Sequence, residues 1–221
     1  MDTILYTFSS IVTLVGAGPA SHSVLQRALG QAPIAIAADG GADALAKLGH
    51  PIHAIIGDLD SIDITENWLN SGVRIHQIDE QDTTDFEKCL YSVDAKLFLA
   101  VGFLGGATDH ALAALNALLA HENKRIILIG DRDATFLCPD KLELELPVGT
   151  RISLIPLVEV VGLQSQGLRW NVAGLRMRPG GKIGTSNASD DSPVRVGFDR
   201  RGVLVTLPIS QLSAVIAALL R

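Results

Sequence analysis

Cysteine is scarce in this chain, with only Cys89 and Cys138 among 221 residues. That count excludes a disulfide scaffold and points to reduced thiols in a cytoplasmic protein. Positive charge is not in excess: 18 Lys and Arg stand against 24 Asp and Glu, a net charge of -6. The basic face that a nucleic-acid binder needs has no basis in that balance. Long apolar runs are also missing, because each is broken by Gly, Pro or charge well short of bilayer thickness, so membrane association is not expected. The amino-terminal stretch carries Asp2 and no Lys or Arg before Arg27, unlike the basic flank of a secretory signal. Internal repeats and low-complexity linkers are absent. The six histidines form no HxH or HExxH pattern, which argues against zinc. Ser186 has no Gly-x-Ser-x-Gly context, and a serine hydrolase loses support with it. Gly181-Lys182 lacks the spacing of a P-loop.

What the chain does have is a 48% hydrophobic, 19% charged composition, that of an ordered globular protein long enough to bury a core. Up to about residue 133, short apolar runs at 12–15, 34–38, 54–56, 74–78, 97–101 and 126–129 alternate with helix-like segments at 21–29, 42–48, 84–93 and 111–121. This is the rhythm of a Rossmann-like open α/β domain, expected over residues 1–134. From residue 135 to 221 the pattern becomes closely spaced strands at 142–146, 152–157, 167–170, 194–198 and 203–207, with a loop at 179–184. An antiparallel β-sandwich is expected there. Leu212, Val215, Ile216 and Leu219 have the spacing of a short closing helix.

Carboxylates recur where the apolar runs of the first half end. Asp58 and Asp60 follow the strand-like 54–57 run, at the carboxyl end of a strand where open α/β sheets gather ligands. Oxygen donors of this kind suit magnesium accompanied by substrate phosphates. The alternative is a polar turn bonded to its own amides. Asp82 and Asp85 read equally as helix capping, with Asp82 as N-cap, or as two carboxylates presented to a metal or a substrate hydroxyl. Gly105-Gly106, ahead of a helix beginning near Asp109, can turn amides toward phosphate. Gly16-Ala17-Gly18 is a poor dinucleotide fingerprint, since Ser21 stands where a third glycine belongs. Trp170 reads as sandwich core or as a ligand-stacking ring, and His110 as a local capping or a catalytic group.

Taken in order, Ala38-Asp39-Gly40-Gly41-Ala42, Gly57-Asp58-Leu59-Asp60-Ser61, Gln81-Asp82-Thr83-Thr84-Asp85-Phe86, Gly105-Gly106 with Asp109-His110, Asn116, Gly167-Leu168-Arg169-Trp170 and Thr185-Ser186-Asn187 resemble the thiamine pyrophosphokinase family. The resemblance runs over most of the chain. It implies a homodimer whose active site lies between the α/β domain of one subunit and the sandwich of the other. It also implies transfer of the β,γ-diphosphoryl group of ATP to the thiamine hydroxyl with release of AMP. On the matched positions, Asp58, Asp60, Asp82 and Asp85 would hold Mg2+ and phosphates, with Asp82 or Asp85 taking the hydroxyl proton. Asp39, Gly40, Gly105, Gly106 and Asp109 would meet the nucleotide; Trp170, Ser186 and Asn187 would meet thiamine. The chain departs from the family pattern at Ala107, where Arg is common, leaving Lys88, Arg132 or Lys182 to replace that charge, and at Gln81, where many members have Lys. Other readings are a pyrophosphokinase for another alcohol such as a pterin, a haloacid-dehalogenase-like phosphatase using Asp58 as nucleophile and Asp60 as acid and base, and a nucleotide-binding sensor without activity.

Overall fold

The computed structural model describes residues 4–60, 68 and 71–221; Ser61, the last residue of the Gly57-to-Ser61 motif, lies outside them. The chain forms two compact units. One holds residues up to Ala117 with Leu128–Asp131, the other Leu118–Ile127 with Arg132–Arg221.

The first unit contains β1 (Tyr6–Val15), α1 (His22–Gln31), β2 (Ala35–Ala38), α2 (Gly41–Lys47), β3 (Ala54–Gly57), β4 (Arg74–Gln77), α3 (Asp85–Ser92) and β5 (Val93–Val101). Helix α4 (Thr108–Ala120) and strand β6 (Ile126–Ile129) have residues in both units. The strand order is β6-β5-β1-β2-β3-β4, and the pairs from β5 to β4 are parallel. β2, β3 and β6 are buried at every residue, which explains why they read as continuous apolar runs rather than alternating ones. After β1 the chain moves outward through β2, β3 and β4, then crosses back to lay β5 on the other side of β1. That reversal opens a crevice beyond the carboxyl ends of β1 and β5, where ligands bind in such sheets.

Glycines let the two turns meet there. Gly102 has φ +82, and a Cβ on it would lie 2.4 Å from the Gly16 carbonyl oxygen; a Cβ on Gly18 would lie 2.5 Å from that of Gly102. The Gly16-Ala17-Gly18 run thus serves close backbone approach. A Cβ on Gly41 would stand 1.9 Å from the Val15 carbonyl oxygen. Gly41→Ala is therefore expected to cost at least about 2 kcal/mol, by forcing backbone apart in a packed core. Urea denaturation measures it, and an unchanged midpoint would contradict this packing.

Toward the amino ends of the strands, the Tyr6 hydroxyl lies 2.5 Å from His76 Nε2, while His53 meets the Tyr6 and Phe8 rings edge-on. Burial first, then the Arg74 guanidinium, pushes both imidazoles below their usual 6.5. A depressed pKa favours the neutral imidazole in the fold, so this stabilisation is complete above pH 6.5 and is lost as pH falls through the lowered values. The melting temperature should fall on acidification below pH 6.5, and a His53→Gln, His76→Gln variant should show a smaller fall. Equal falls would remove these histidines from the explanation.

The second unit has β7 (Asp133–Leu137), β8 (Lys141–Leu144), β9 (Arg151–Pro156), β10 (Val160–Gln166), β11 (Arg176–Met177), β12 (Gly184–Ala188), β13 (Val194–Phe198) and β14 (Val203–Pro208). A 3-10 turn and α5 (Leu212–Leu219) close it, with Leu212, Val215, Ile216 and Leu219 buried as their spacing predicts. The strands pair antiparallel in the orders β12-β9-β14-β7 and β11-β10-β13-β8. Four of them, β7, β10, β11 and β12, were not expected from sequence. The expected strand at 167–170 is absent: only Leu168 pairs, in an isolated bridge with Ser189. Gly167 explains the break, with φ +71 and a Cβ position 2.9 Å from the carbonyl oxygens of Asp191 and Pro193. Among the described residues, no helix is long and apolar enough to cross a membrane.

Candidate active site

A cleft of about 450 Å3 lies in the first unit at the carboxyl ends of its strands. Asp39 follows β2 directly, Asp58 follows β3, and the Gly16 and Gly102 turns follow β1 and β5; all four line it. Gly57 allows the two aspartate-bearing turns to approach, since a Cβ there would lie 2.8 Å from Asp39 Cβ and 3.1 Å from Asp85 Oδ1. Asp39 and Leu59 adopt φ of 43 and 67. Non-glycine residues seldom occupy that region, and such strain concentrates at functional sites.

Asp39, Asp58 and Asp60 each present one carboxylate oxygen, all within 4.8 Å of one another. An all-oxygen donor set without His or Cys fits a hard divalent cation such as magnesium. The trio includes Asp39, which the sequence reading gave to the nucleotide. Asp85, the first residue of α3, also lines the cleft, and its Oδ1 accepts from the Asp58 amide at 3.4 Å. Asp82 is not a lining residue, nor is it the helix cap expected of it. Thr84 is the N-cap: its hydroxyl accepts from the Glu87 amide while the Glu87 carboxylate accepts from the Thr84 amide. Asp82 instead sits in a tight loop whose organiser is Glu80. That carboxylate accepts from the amides of Asp82 and Thr83, from the Thr83 hydroxyl and from Tyr91 Oη.

Lys88, one turn into α3, is only 1% exposed, and its Nζ donates to Asp58 Oδ2 at 3.0 Å and Asp85 Oδ1 at 3.1 Å. Burial pulls the ammonium pKa down, but the two carboxylates outweigh it and leave it raised. The Lys88 hydrogen bond is likewise the main cause holding the Asp58 carboxyl below its ordinary value, and Gln81 Nε2, 3.1 Å from Asp58 Oδ2, adds to it. Of the three basic residues weighed as substitutes for an arginine at position 107, Lys88 lines this cleft together with Ala107. Arg132 and Lys182 belong to the second unit.

The Gly105-Gly106 turn precedes α4, with Gly105 at φ +85. Gly106 and His110 line the cleft, whereas Gly40, Gly105 and Asp109 do not; Asp109 Oδ1 accepts from the His110 amide at 2.9 Å. Sequence reasoning missed Phe86 and Phe103, whose rings lie 4.3 Å apart on the cleft wall.

A second pocket, of about 490 Å3, lies in the second unit and is lined by Trp170, Asn187, Thr185, Met177, Lys182 and others. Trp170 is 57% exposed, far from the core residue that a strand reading makes of it. Its backbone is fixed instead: the Trp170 amide donates to Asn187 Oδ1 at 3.1 Å, and Asn187 Nδ2 donates to the Trp170 carbonyl at 2.7 Å. Asn187 is buried at 3% exposure and so acts here as the clamp that holds Trp170. Ser186, at φ 55, donates its amide to Ser153 Oγ and is not a lining residue.

The family model "Thiamin pyrophosphokinase, catalytic domain" matches residues 25–129, and "Thiamin pyrophosphokinase, vitamin B1 binding domain" matches residues 141–203. Thiamine pyrophosphokinase 1 of rice is 34% identical over 163 residues, which cover 66% of this chain and 62% of that protein. Thiamine pyrophosphokinase 1 of Arabidopsis thaliana is 34% identical over 66% of this chain and 61% of its own length. The chain therefore spans about three fifths of these curated relatives. Among solved structures, thiamin pyrophosphokinase from Candida albicans superposes with a TM-score of 0.77 at 17% identity, covering 94% of this chain and 93% of that one. The enzyme from Geobacillus thermodenitrificans gives 0.73 at 19% identity, covering 90% and 96%. These structures are similar in fold. With both family models matched in order along most of its length, the chain belongs to the thiamin pyrophosphokinase family.

Proposed function

We propose that this protein transfers the diphosphoryl group of ATP to the hydroxyl of thiamine, giving thiamine diphosphate and AMP. The observation that carries the reading is the carboxylate trio Asp39, Asp58 and Asp60 beyond the carboxyl ends of the parallel strands β2 and β3, in a chain whose two family models are a thiamin pyrophosphokinase catalytic domain and a vitamin B1 binding domain. The trio would hold Mg2+, which when bound neutralises phosphate charge and orients the polyphosphate. Phosphoryl-type transfer asks the protein chiefly for positioning and charge stabilisation. The amide-bearing turn at Gly105-Gly106 and the start of α4 suit the phosphates. Asp85, inside the cleft, is the carboxylate assigned to take the thiamine hydroxyl proton as its oxygen attacks the β-phosphorus. The bond from the β-phosphorus to the α,β-bridging oxygen then breaks, and AMP leaves.

In the second unit, the two antiparallel sheets are read as a β-sandwich that carries the thiamine pocket, with the Trp170 face toward the vitamin's cationic thiazolium and Asn187 holding that face in place. The working assembly is proposed to be a cytoplasmic homodimer in which the cleft of one subunit acts with the thiamine pocket of the other. Assayed at thiamine well below its KM, where Trp170→Ala alone is impaired, mixed Asp58→Asn and Trp170→Ala subunits should exceed the mean activity of the two parents after exchange; no gain after verified exchange would count against a shared site. Neither a pterin acceptor nor a haloacid-dehalogenase-like phosphatase is supported by the family matches. Label tracing tests the chemistry: label in the γ-phosphate of ATP should enter thiamine diphosphate, and label in the α-phosphate should appear in AMP. γ-label released as inorganic phosphate without thiamine would overturn the proposal.

A further inference from the structure

Lys88 is a cationic group in the cleft whose position the reaction as written does not use. Its ammonium is buried, bonded to Asp58 and Asp85, and borders the same cleft as Ala107. Asp58 is thereby shared between two cation sites, because it also belongs to the trio with Asp39 and Asp60. Asp58 and Asp85 are two carboxylates held side by side on this one ammonium. Without Lys88 their mutual repulsion would be larger still.

We propose that Lys88 is a placeholder cation that serves the substrate in turn. In the ligand-free protein it neutralises Asp58 and Asp85 and keeps the two acidic turns together. Once Asp58 has a divalent partner, it is oversupplied with positive charge, and the Lys88 ammonium is free to turn to the polyphosphate. It then supplies a positive charge to the cleft wall where Ala107 offers none. This rests on the reading of the cleft as a metal and polyphosphate site. A single lysine can thus compete with the bare cation and yet favour the nucleotide.

The opposite signs make the test. Mn2+ is titrated into the full-length protein by electron paramagnetic resonance, first alone and then with ATP binding followed at saturating Mn2+, no thiamine being present. Lys88→Met is expected to bind bare Mn2+ about tenfold more tightly and ATP about tenfold more weakly. Asp85→Asn, which removes a carboxylate outside the trio, should bind bare Mn2+ more weakly while its ATP affinity is retained or raised, since Lys88 is less held. Should Lys88→Met fail to fold, Asp85→Asn decides alone: loss of both affinities overturns the proposal. Unchanged or weakened Mn2+ binding in folded Lys88→Met also overturns it. A wild-type protein that binds neither Mn2+ nor ATP refutes the reading of the cleft and this proposal with it. Wild-type binding with unaltered variants refutes the role of Lys88 alone.

Discussion

Asp58→Asn is expected to lower thiamine-dependent AMP formation by about 10²- to 10³-fold, the scale on which removing one preorganised charge-stabilising group acts. Asp58 has the most connected position in the cleft. It contributes to the oxygen trio, accepts from Lys88 and Gln81, and donates its amide toward Asp85. The amide that replaces it is nearly the same shape and keeps an oxygen for Lys88, so the circular dichroism spectrum should be preserved. It lacks the negative charge that a hard cation requires. The comparison variant is Asp82→Asn. Asp82 is exposed, lies outside the cleft lining, and is held through its backbone by Glu80, so its effect should be much smaller. Equal losses for the two would contradict the assignment of the cation to Asp39, Asp58 and Asp60.

Trp170→Ala is expected to raise the KM for thiamine about tenfold, with the KM for ATP and the kcat nearly unchanged. An aromatic face over a cation contributes roughly 0.5 to 2 kcal/mol, and about 1.4 kcal/mol is a factor of ten. Trp170 suits that task because more than half of the residue is exposed while its amide and its carbonyl are both held by Asn187. The Arg169 guanidinium lies 5.7 Å from the ring centroid, which shows that this face accepts a cation. Asn187→Ala should act through the same loop, raising the thiamine KM by releasing Trp170. An unchanged thiamine KM in Trp170→Ala would take the indole out of the binding site.

The residues that sequence reading located best are those for which position alone states the chemistry. Asp58 and Asp60 follow a run of β-branched residues and sit where a parallel strand ends, so strand and acidic turn could be read together. Asp39 stands in the same relation to β2, and the parallel between 34–39 and 54–58 would have put it with the metal ligands. Thr84-x-x-Glu87 is a capping-box signature; its reading was displaced by the nearby Asp82, which also has a capping side chain. Lys88 could be named only as one of three basic residues able to stand in for an arginine at position 107, because a lysine on a mixed helix ordinarily reads as solvated and its burial depends on Asp58, distant in sequence, as well as on Asp85 one turn before it. Gly16 and Gly18 matched a nucleotide fingerprint poorly since their purpose is the approach to Gly102, a contact of high sequence separation.

In the second unit, β10 begins with Val160 and Val161 but continues as Gly162, an exposed Leu163, Gln164, Ser165 and Gln166, and β12 is Gly184 to Ala188 with exposed Thr185 and Ser186. Polar strands of this kind are fixed by their neighbours rather than by their own pattern. The Gly167 to Trp170 stretch shows the reverse error: a hydrophobic and aromatic ending suggests a strand, while a glycine with positive φ breaks the ladder and turns the indole outward.

The most direct measurement is a chromatographic time course of purified protein with ATP, Mg2+ and thiamine, quantifying thiamine species and adenine nucleotides in the same samples. Thiamine diphosphate and AMP rising in equal amounts, with neither formed when thiamine or Mg2+ is left out, is the predicted result. ADP with thiamine monophosphate, or phosphate release that ignores thiamine, would contradict diphosphoryl transfer.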